Sequence, residues 1–420
     1  MDELLFLCHR LPYPPNKGDK IRSFHLLRHL AKRYRVHLGA FVDDPGDWRY
    51  LADIDEFCEQ TCVLPLGRWQ SMIRCLAGLA ARQPLSVSYY RDQRLQRWVD
   101  ERMERGTVRK AVVFSSAMAG YLTNRLGGEM HSLIDFVDVD SEKWAQYGSH
   151  ARWPLNWIYR REAGRLLTHD ADAAMSFDAS VFVSRQEARL FKRLVPQAAG
   201  RTGYVENGVD EVYFSPERDY PDPYPPGVLP VTFTGAMDYR PNVDAVEWFV
   251  HEVLPLVAGH FPQVAFFIVG ARPSERVRRL GRLERVTVTG GVPETRPYLA
   301  HARAAVAPLR IARGIQNKVL EALAMGTPVV ATPAAVEGIA DGAGQALQVA
   351  DVPSEFGQAL VRLLSGLIPD TATTGARDWI MERYNWDDCL ATVDRLLDLV
   401  PEVDIEQVCP ERPLDGACQY

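Results

Sequence analysis

Short apolar segments alternate with longer amphipathic ones along most of the 420-residue chain, and this pattern restricts the possible folds more than any other feature. Residues 4–8 predict a buried strand, residues 21–30 a helix with apolar positions three and four apart, and residues 36–42 a second strand. The same pattern predicts further strands at 112–115, 133–137, 173–177, 179–183, 231–234, 265–269, 286–289, 304–307 and 328–331. Strands separated by helices pair in parallel with helices on both faces, so we expect an α/β fold.

A proline-rich segment interrupts the alternation near the middle of the chain. Residues 219–230 contain five prolines and one glycine, which neither a helix nor a central strand accommodates. We therefore expect a linker there, between a domain of residues 1–218 and a domain of residues 231–400, with a loosely ordered tail at 401–420. Two facing, doubly wound, Rossmann-like domains would bind ligands in a central cleft, at the carboxyl ends of their strands.

Composition and charge exclude several classes of protein. The net charge of −6 argues against bulk nucleic-acid binding, which needs a basic surface. The first ten residues, MDELLFLCHR, do not form a secretory signal, and no apolar stretch approaches the roughly 18 residues of a membrane span. Seven cysteines without a repeating frame favour a reducing compartment. We expect a cytoplasmic protein.

The segment 304–332, AAVAPLRIARGIQNKVLEALAMGTPVVAT, carries the clearest chemistry. It predicts a strand, a loop, a helix over about 316–325, a left-handed cap at Gly326 and a second strand. Gly314 allows backbone amides to approach a ligand closely, and the helix start supplies free N–H groups and a positive dipole end. Lys318 adds a charge there, and Glu321 shares its helix face. This arrangement fits a diphosphate site with a carboxylate for sugar hydroxyls, and it also fits an ordinary surface Lys–Glu pair.

Three aspartates lie in the segment DFVDVD, which starts in the strand predicted at 133–137 and continues past its end: Asp135, Asp138 and Asp140. Acids at the carboxyl end of a strand face the ligand side of such a sheet, and Asp138 is our first choice for the base that accepts a proton from the acceptor hydroxyl. The alternative is that these acids cap the helix that follows. Asp138 and Asp140 also have the form of a metal-binding pair, but we expect no metal and no other cofactor.

Residues 68–97 are rich in arginine, with tryptophan, tyrosine, leucine and isoleucine between the arginines. Two interpretations stay open. The segment forms either a peripheral contact with an anionic membrane, or a helix pair whose apolar stripe lies in the core and whose arginines are in water.

Several motifs occur in the order in which they are found in one family. They are PPNKGDKIRS in the amino-terminal loop, VSRQEA at 183–188, VENGVD at 205–210, FTGAMDYRPN at 233–242 and the helix–strand block described above. Together they resemble the family 4 retaining glycosyltransferases, which have the GT-B fold. The MDYRPN form and IDFVDVDSEKW at 134–144 are similar to a narrower group, the sugar transferases associated with PEP-CTERM (exosortase) exopolysaccharide systems.

The resemblance implies roles for residues on the donor side. Glu321 matches the second glutamate of the family's paired motif and would hold the ribose hydroxyls. Arg313 stands where the first glutamate is usual, which is a departure from the family. Backbone amides would come from Gly314, Ile315 and Gln316, and phosphate charge would be neutralised by Lys318 and more weakly by Arg240. Gly235 and Asn207 belong to the motifs that line the donor.

On the acceptor side, the resemblance implies that Gly18 places backbone beside the reacting centre. Arg22 either reaches the phosphate or the acceptor, or is a solvated helix arginine. A family histidine is not evident, since His131 lies too early. The first domain would therefore bind the acceptor.

The function implied is hexosyl transfer, with retention of configuration, from a nucleoside-diphosphate sugar to a glycan or lipid-linked acceptor in exopolysaccharide biosynthesis. The enzyme would act in the cytoplasm, with peripheral contact at the inner face of the membrane as a further possibility. Two alternatives stay open: a nucleotide-sugar epimerase of the same fold, and a non-catalytic partner that binds a glycan or another transferase.

Overall fold

The computed structural model describes residues 1–312, 315–339, 342–398 and 405, apart from the side chains of Arg68 and His150. Arg313, Gly314 and the predicted tail (Ile405 aside) lie outside the described residues. The described residues form two units by their contacts, one of residues 1–206 with 390–398 and the other of residues 207–389. The linker had been predicted at 219–230, and residues 390–398 had been predicted with the second domain.

The first unit is built on a seven-stranded parallel sheet. Its strands are β1 (Glu3–Cys8), β2 (Arg35–Val42), β3 (Gln60–Pro65), β4 (Val108–Phe114), β5 (His131–Val137), β6 (Ala179–Phe182) and β7 (Thr202–Tyr204). Its helices are α1 (Gly18–Ala31), α2 (Leu51–Asp55), α3 (Arg68–Ala80), α4 (Leu85–Tyr89), α5 (Gln93–Glu104), α6 (Asp140–His150), α7 (Leu155–Ser176) and α8 (Arg185–Leu194). The strand order is β3-β2-β1-β4-β5-β6-β7, so the sequence order reverses between β1 and β4.

The second unit has a six-stranded parallel sheet. Its strands are β8 (Leu229–Thr234), β9 (Val264–Val269), β10 (Val286–Gly290), β11 (Ala304–Ala307), β12 (Val329–Ala331) and β13 (Leu347–Val349). Its helices are α9 (Arg240–Trp248), α10 (Leu254–Ala258), α11 (Glu275–Leu280), α12 (Arg296–Ala300), α13 (Asn317–Ala324), α14 (Pro333–Val336), α15 (Pro353–Leu364), α16 (Asp370–Arg383) and α17 (Trp386–Asp398), of which α17 ends in the first unit. The order β10-β9-β8-β11-β12-β13 reverses between β8 and β11.

Burial on both faces explains why the central strands are continuously apolar. Residues 4–8 of β1 are fully buried, and so is most of β8 and β11. Parallel strands covered by helices need apolar side chains on both faces, which gives runs rather than alternation. The fold class predicted from the sequence is confirmed for both sheets.

Three features of the elements differ from the sequence predictions. Residues 173–176 are the last turn of α7 rather than a strand, because alanine favours helix and Ala173, Ala174 and Phe177 are spaced to face the core from a helix. The proline-rich segment packs on the second unit, where Tyr224 is buried and its hydroxyl donates to the carbonyl of Tyr298 at 2.5 Å. The edge strands β3, β7 and β13 had not been predicted, since they are short or only partly apolar. None of the described helices is both long enough and apolar enough to cross a membrane.

Candidate donor and acceptor sites

In the second unit, two glycines bring the ends of β8 and β9 close together. A Cβ at Gly270 would lie 1.7 Å from the carbonyl oxygen of Gly235, and a Cβ at Gly235 would lie 2.8 Å from Nδ2 of Asn242. Both positions therefore require glycine. Parallel sheets bind ligands where the strand order reverses, and β8 borders that point. The sequence analysis had singled out Gly235 but not Gly270.

Lys318 lies in the first turn of α13, where the sequence predicted it, and its ammonium group is held in place. Nζ donates to Oδ1 of Asn242 at 2.7 Å, and Nδ2 of Asn242 donates to the carbonyl of Ala236 at 2.9 Å. The same Nζ lies 4.3 Å from the centroid of the Phe233 ring. Because the Lys318 ammonium group is already oriented, binding of an anion to it costs little further side-chain conformational entropy.

Glu321 lies one turn after Lys318 on α13, and both side chains are partly buried. Burial lowers the pKa of Lys318 to about 7, against the effect of the Glu321 charge. Burial likewise raises the pKa of Glu321 to about 7, against the effect of Lys318. Strongly perturbed neighbouring groups of this kind are typical of binding and catalytic sites, whereas a solvated surface pair keeps ordinary values.

The other residues predicted for the donor side that the structure describes lie at the start of the same helix, except Arg240. Gln316 precedes α13 as its N-cap residue, and Ile315 is buried. Asn207 is buried and its Nδ2 donates to Oδ1 of Asn317, the first residue of α13, at 3.0 Å. Arg240 is exposed at the start of α9. The structure thus brings together Asn207, Gly235, Gln316, Lys318 and Glu321 through β8 and α13.

In the first unit, Asp138 follows the carboxyl end of β5. Its Oδ1 is buried and accepts no hydrogen bond from the described residues. Burial, followed by the charges of Asp140 and Glu187, raises the pKa of Asp138 to about 7. A carboxylate with this pKa and an open acceptor position is suited to general base catalysis near neutral pH.

The backbone beside Asp138 is strained. Val137 has φ of 69°, which a β-branched residue rarely adopts. Ser115 at the end of the neighbouring strand β4 has φ of 78°, and its N–H donates to the carbonyl of Asp135 at 2.8 Å. Strain of this kind persists where surrounding structure enforces it, and it is common at functional sites.

Glu187 fixes the segment that carries Asp138. Its Oε2 accepts from the N–H of Val139 at 2.6 Å, and its own N–H donates to Oγ of Ser184 at 3.2 Å. Ser184 and Glu187 belong to the motif VSRQEA at 183–188. Its Ser-x-x-Glu spacing is the signal of a helix-capping box and identifies both residues as helix-start residues.

The other two aspartates have structural partners. Arg22 is 1% exposed and its Nε donates to Oδ2 of Asp135 at 2.7 Å, so it is not a solvated arginine. Asp140 lies 3.3 Å from Nζ of Lys143 in a partly exposed i,i+3 pair. None of the acids caps α6, whose N-cap residue is Val139, so that alternative is wrong. His131 begins β5, six residues before the end that carries Asp138.

Gly18 begins α1, after the loop that follows β1. A Cβ built there meets no described atom within 4 Å, and its φ is not in the left-handed region. Neither packing nor backbone conformation therefore requires glycine at this position. The expectation that Gly18 places backbone beside the reacting centre stays a prediction.

A cluster of charged side chains that the sequence analysis missed surrounds Asp19, next to Gly18. Nη1 of Arg10 donates to Asp19 Oδ2 at 2.6 Å, and Nε2 of His9 lies 3.3 Å from the same oxygen. Nε of Arg10 lies 3.0 Å from Oδ2 of Asp43. Burial alone would raise the pKa of Asp19, but His9 and Arg10 hold it well below its usual range. The cluster was detectable in principle, because His9 and Arg10 directly follow the first strand.

In the described parts of the chain, no three His, Cys, Asp or Glu side chains come together as ligands. The expectation that the protein uses no metal stays a prediction.

The comparison with solved structures gives matches over nearly the whole chain. Sucrose-phosphate synthase from Thermosynechococcus elongatus is 17% identical with a TM-score of 0.68, over 94% of this chain and 98% of that one. HepE from Anabaena, in complex with UDP and glucose, is 14% identical with a TM-score of 0.62, over 95% and 100%. WaaG, a glycosyltransferase involved in lipopolysaccharide biosynthesis, is 14% identical with a TM-score of 0.63, over 93% and 99%. The chain has the GT-B fold.

The sequence comparison places a family match on one part of this GT-B chain. Residues 230–366 match the family model described as "Glycosyl transferases group 1". No curated protein matches the chain by sequence. The matched segment contains Gly235, Asn242, Lys318 and Glu321, which lie at the end of β8 and on α9 and α13.

Proposed function

We propose that this GT-B protein is a glycosyltransferase that moves a hexosyl group from a nucleoside-diphosphate sugar to a glycan or lipid-linked acceptor. The observation that carries the proposal is the fixed Lys318 at the start of α13, within the segment that matches the glycosyltransferase family model. The resemblance to PEP-CTERM-associated sugar transferases supports a role in exopolysaccharide biosynthesis, on the cytoplasmic side of the membrane.

Lys318 has the properties that a diphosphate ligand needs. Its ammonium group is already oriented by Asn242, and the start of α13 adds backbone N–H groups and a positive dipole end. Charge on the diphosphate increases as the sugar leaves, and a fixed cation in a partly desolvated position stabilises that charge more than water does. Lys318 thus acts on binding and on departure of the leaving group.

Glu321 is suited to the ribose. A carboxylate accepts hydrogen bonds from two neighbouring hydroxyls, and hydroxyl donors stabilise its charged form. Asn207 and the backbone around Ile315 and Gln316 lie at the same helix start and complete the proposed donor site. Exposed Arg240 is a weaker candidate for contact with the diphosphate.

On the acceptor side, Asp138 would take the proton from the attacking hydroxyl. Its raised pKa and open Oδ1 suit that step. Retention of configuration would follow from attack on the face that the diphosphate leaves, without a nucleophile from the protein and without a metal. Gly18 would leave room for the sugar, and the buried Arg22–Asp135 pair would hold α1 against the end of β5.

Nucleotide binding tests the proposal first. Thermal unfolding is followed with UDP, GDP, ADP and the corresponding nucleotide sugars, with and without EDTA. UDP is tried first because HepE structures of the same fold are described as complexes with UDP and with UDP-glucose. A ligand at about one hundred times its dissociation constant adds roughly 2.7 kcal/mol, so we expect one nucleotide to raise Tm equally with and without EDTA. Stabilisation by none of them would overturn the donor site, and loss of the effect in EDTA would overturn metal independence.

A further inference from the structure

Helix α3 carries its apolar side chains on its exposed face. Trp69, Met72, Ile73 and Leu76 are 80%, 56%, 65% and 69% exposed, and Ala77 and Ala80 continue the same stripe. The spacing i, i+3, i+4, i+7, i+8 and i+11 is that of a single helix face. A helix on a globular protein normally buries such a face, whereas α3 turns its apolar face outward and its other face toward the core.

Contacts on the inner face fix this orientation. Arg74 donates through Nη2 to Oγ of Ser71 at 2.8 Å and through Nη1 to Asp92 at 3.4 Å, and Ser71 is fully buried. A Cβ at Gly78 would lie 2.0 Å from Oγ of Ser88, so only glycine allows α3 to approach α4 this closely. Rotating α3 to bury its apolar stripe would break all of these contacts. For α3, the interpretation that the apolar stripe lies in the core is therefore wrong, whereas Leu95 of α5, in the same segment, is fully buried.

A second group of exposed apolar side chains lies where α7 begins. Trp153 and Trp157 are 81% and 57% exposed, and Leu155 lies between them. Arg161, one turn after Trp157, donates through Nη2 to the carbonyls of Leu79 and Gln83 at 3.3 and 3.1 Å. These bonds tie the start of α7 to the end of α3.

The exposed charges near these side chains are mainly arginines, and Asp92 is paired with Arg74 and Arg94. Residues 68–91 contain four arginines and no acidic residue, in a chain whose net charge is −6. Arg82 and Arg91 are exposed after α3, and Arg152 and Arg160 are exposed around Trp153 and Trp157. An apolar surface flanked by exposed arginines is complementary to an apolar layer covered with anionic groups, which describes an anionic lipid bilayer.

We propose that α3 and the start of α7 form a membrane-docking face that lies on anionic lipid. The 13 residues of α3 measure about 20 Å, shorter than the roughly 30 Å of a hydrocarbon core, so the helix lies in the interface and does not cross it. Tryptophan is suited to that depth, since its ring is apolar and its N–H finds polar partners at the headgroups. The proposal depends on α3 and α7 and not on the transferase activity, so a failure of nucleotide binding leaves it standing.

Vesicle sedimentation tests this proposal. The full chain is mixed with vesicles of phosphatidylcholine alone or with phosphatidylglycerol, and bound protein is measured after centrifugation. We expect binding only to the anionic vesicles, and at least about a tenfold weaker affinity for I73E/L76E, because two charges would enter the apolar layer. Leu367→Glu, at another highly exposed leucine (71%) on the second unit, is the matched control and should bind like the wild type.

Two further measurements separate lipid from other occupants of the face. Brominated lipids should quench tryptophan fluorescence less in Trp69→Phe than in the wild type. Size-exclusion chromatography and circular dichroism should give the same elution and spectrum for I73E/L76E as for the wild type. No binding to anionic vesicles by the wild type, or unchanged binding by I73E/L76E, would overturn the proposal. A wild-type dimer that I73E/L76E converts to a monomer would overturn it in favour of a second copy of the chain.

Discussion

At the scale of single residues, Asp138 shows a conflict between stability and function. Its Oδ1 is buried without a hydrogen bond from the described residues, and Val137 beside it has a strained backbone. Both features cost folding free energy, and neither contributes to packing. Such a cost is understandable if a substrate hydroxyl supplies the missing hydrogen bond and the raised pKa serves proton transfer.

The conflict predicts opposite effects of Asp138→Asn on activity and stability. Because burial raises the folded-state pKa of Asp138 to about 7, from 3.8, the folded state binds more protons than the unfolded state between these values. Stability from this group therefore falls as pH rises from about 4 to 7, by up to about 4 kcal/mol. We expect Asp138→Asn to raise Tm at pH 8 and not at pH 4, and to lower kcat about 10²- to 10⁴-fold.

The matched control for Asp138→Asn is Asp140→Asn. Asp140 is partly exposed and pairs with Lys143 on the surface, so its loss should change Tm and kcat little. The measurements are calorimetry at both pH values and the initial rate of sugar transfer. A stability gain without loss of activity would make Asp138 a misplaced carboxylate rather than the base. A lower Tm together with a lower activity of Asp138→Asn at pH 8 would mean that the Asp138 carboxylate has a stabilising partner in the native state.

At the scale of elements, the sequence predicted best where local and tertiary requirements agree. Each element of one block has its own local signal, and all of them were predicted. They are strand β11, the first turn of α13 with Lys318, the cap at Gly326 (φ of 72°) and strand β12. The orientation of α3 was not predictable in the same way. Its periodicity gives an apolar face but not the direction of that face, which is decided by Gly78, Arg74 and their distant partners.

Contacts between elements account for what the sequence could not supply at the site. Nothing local in the sequence pairs Lys318 with Asn242, which is 76 residues earlier, or Arg22 with Asp135, which is 113 residues later. The sequence therefore predicted which residues carry charge at the strand ends, while their partners, burial and pKa values needed the folded sheets. The roles assigned to these residues by resemblance stay predictions.

The junction of β8, α9 and α13 predicts a pH-dependent affinity for nucleoside diphosphates. Burial lowers the pKa of unbound Lys318 to about 7, and a bound diphosphate would raise it again. Binding should then take up a proton above pH 7, and affinity should fall by at most about tenfold per pH unit. Lys318→Met should weaken UDP binding about 10- to 100-fold and remove this dependence, since it removes charged hydrogen bonds, while uridine binding changes little.

Isothermal titration calorimetry in buffers of different ionisation enthalpy measures both the affinity and the proton uptake. The control is Lys32→Met. Lys32 is exposed at the carboxyl end of α1, so this variant should bind UDP like the wild type. An equal loss for UDP and uridine would remove Lys318 from the phosphate site. Proton uptake that persists in Lys318→Met would assign the pH dependence to another group, with Glu321 the first to test by Glu321→Gln.

At the scale of the whole molecule, the described residues divide into two compact units, and α17 contributes residues to both. Residues up to 389 pack with the second unit, while Leu390, Val393, Leu396 and Leu397 are buried in the first. In the first unit, Asp394 accepts from Nε2 of His29 at 3.0 Å and lies 2.8 Å from Nη1 of Arg33. The end of α17 therefore completes the core of the first unit, although it is encoded at the far end of the chain.

This division predicts that one unit can be destabilised without loss of the nucleotide effect on the other. Leu397 is 1% exposed, and Leu397→Asp would bury a charge in the core of the first unit, so we expect its unfolding transition to move to a lower temperature. The proposed donor residues all lie in the second unit, so UDP should still raise the midpoint of a separate transition in calorimetry. Leu283→Asp, at an exposed leucine of the second unit, is the control and should leave both transitions in place. If Leu397→Asp abolished the UDP effect while a UDP-responsive transition remained in Leu283→Asp, donor binding would depend on the first unit as well, and the donor site would have to include residues from it.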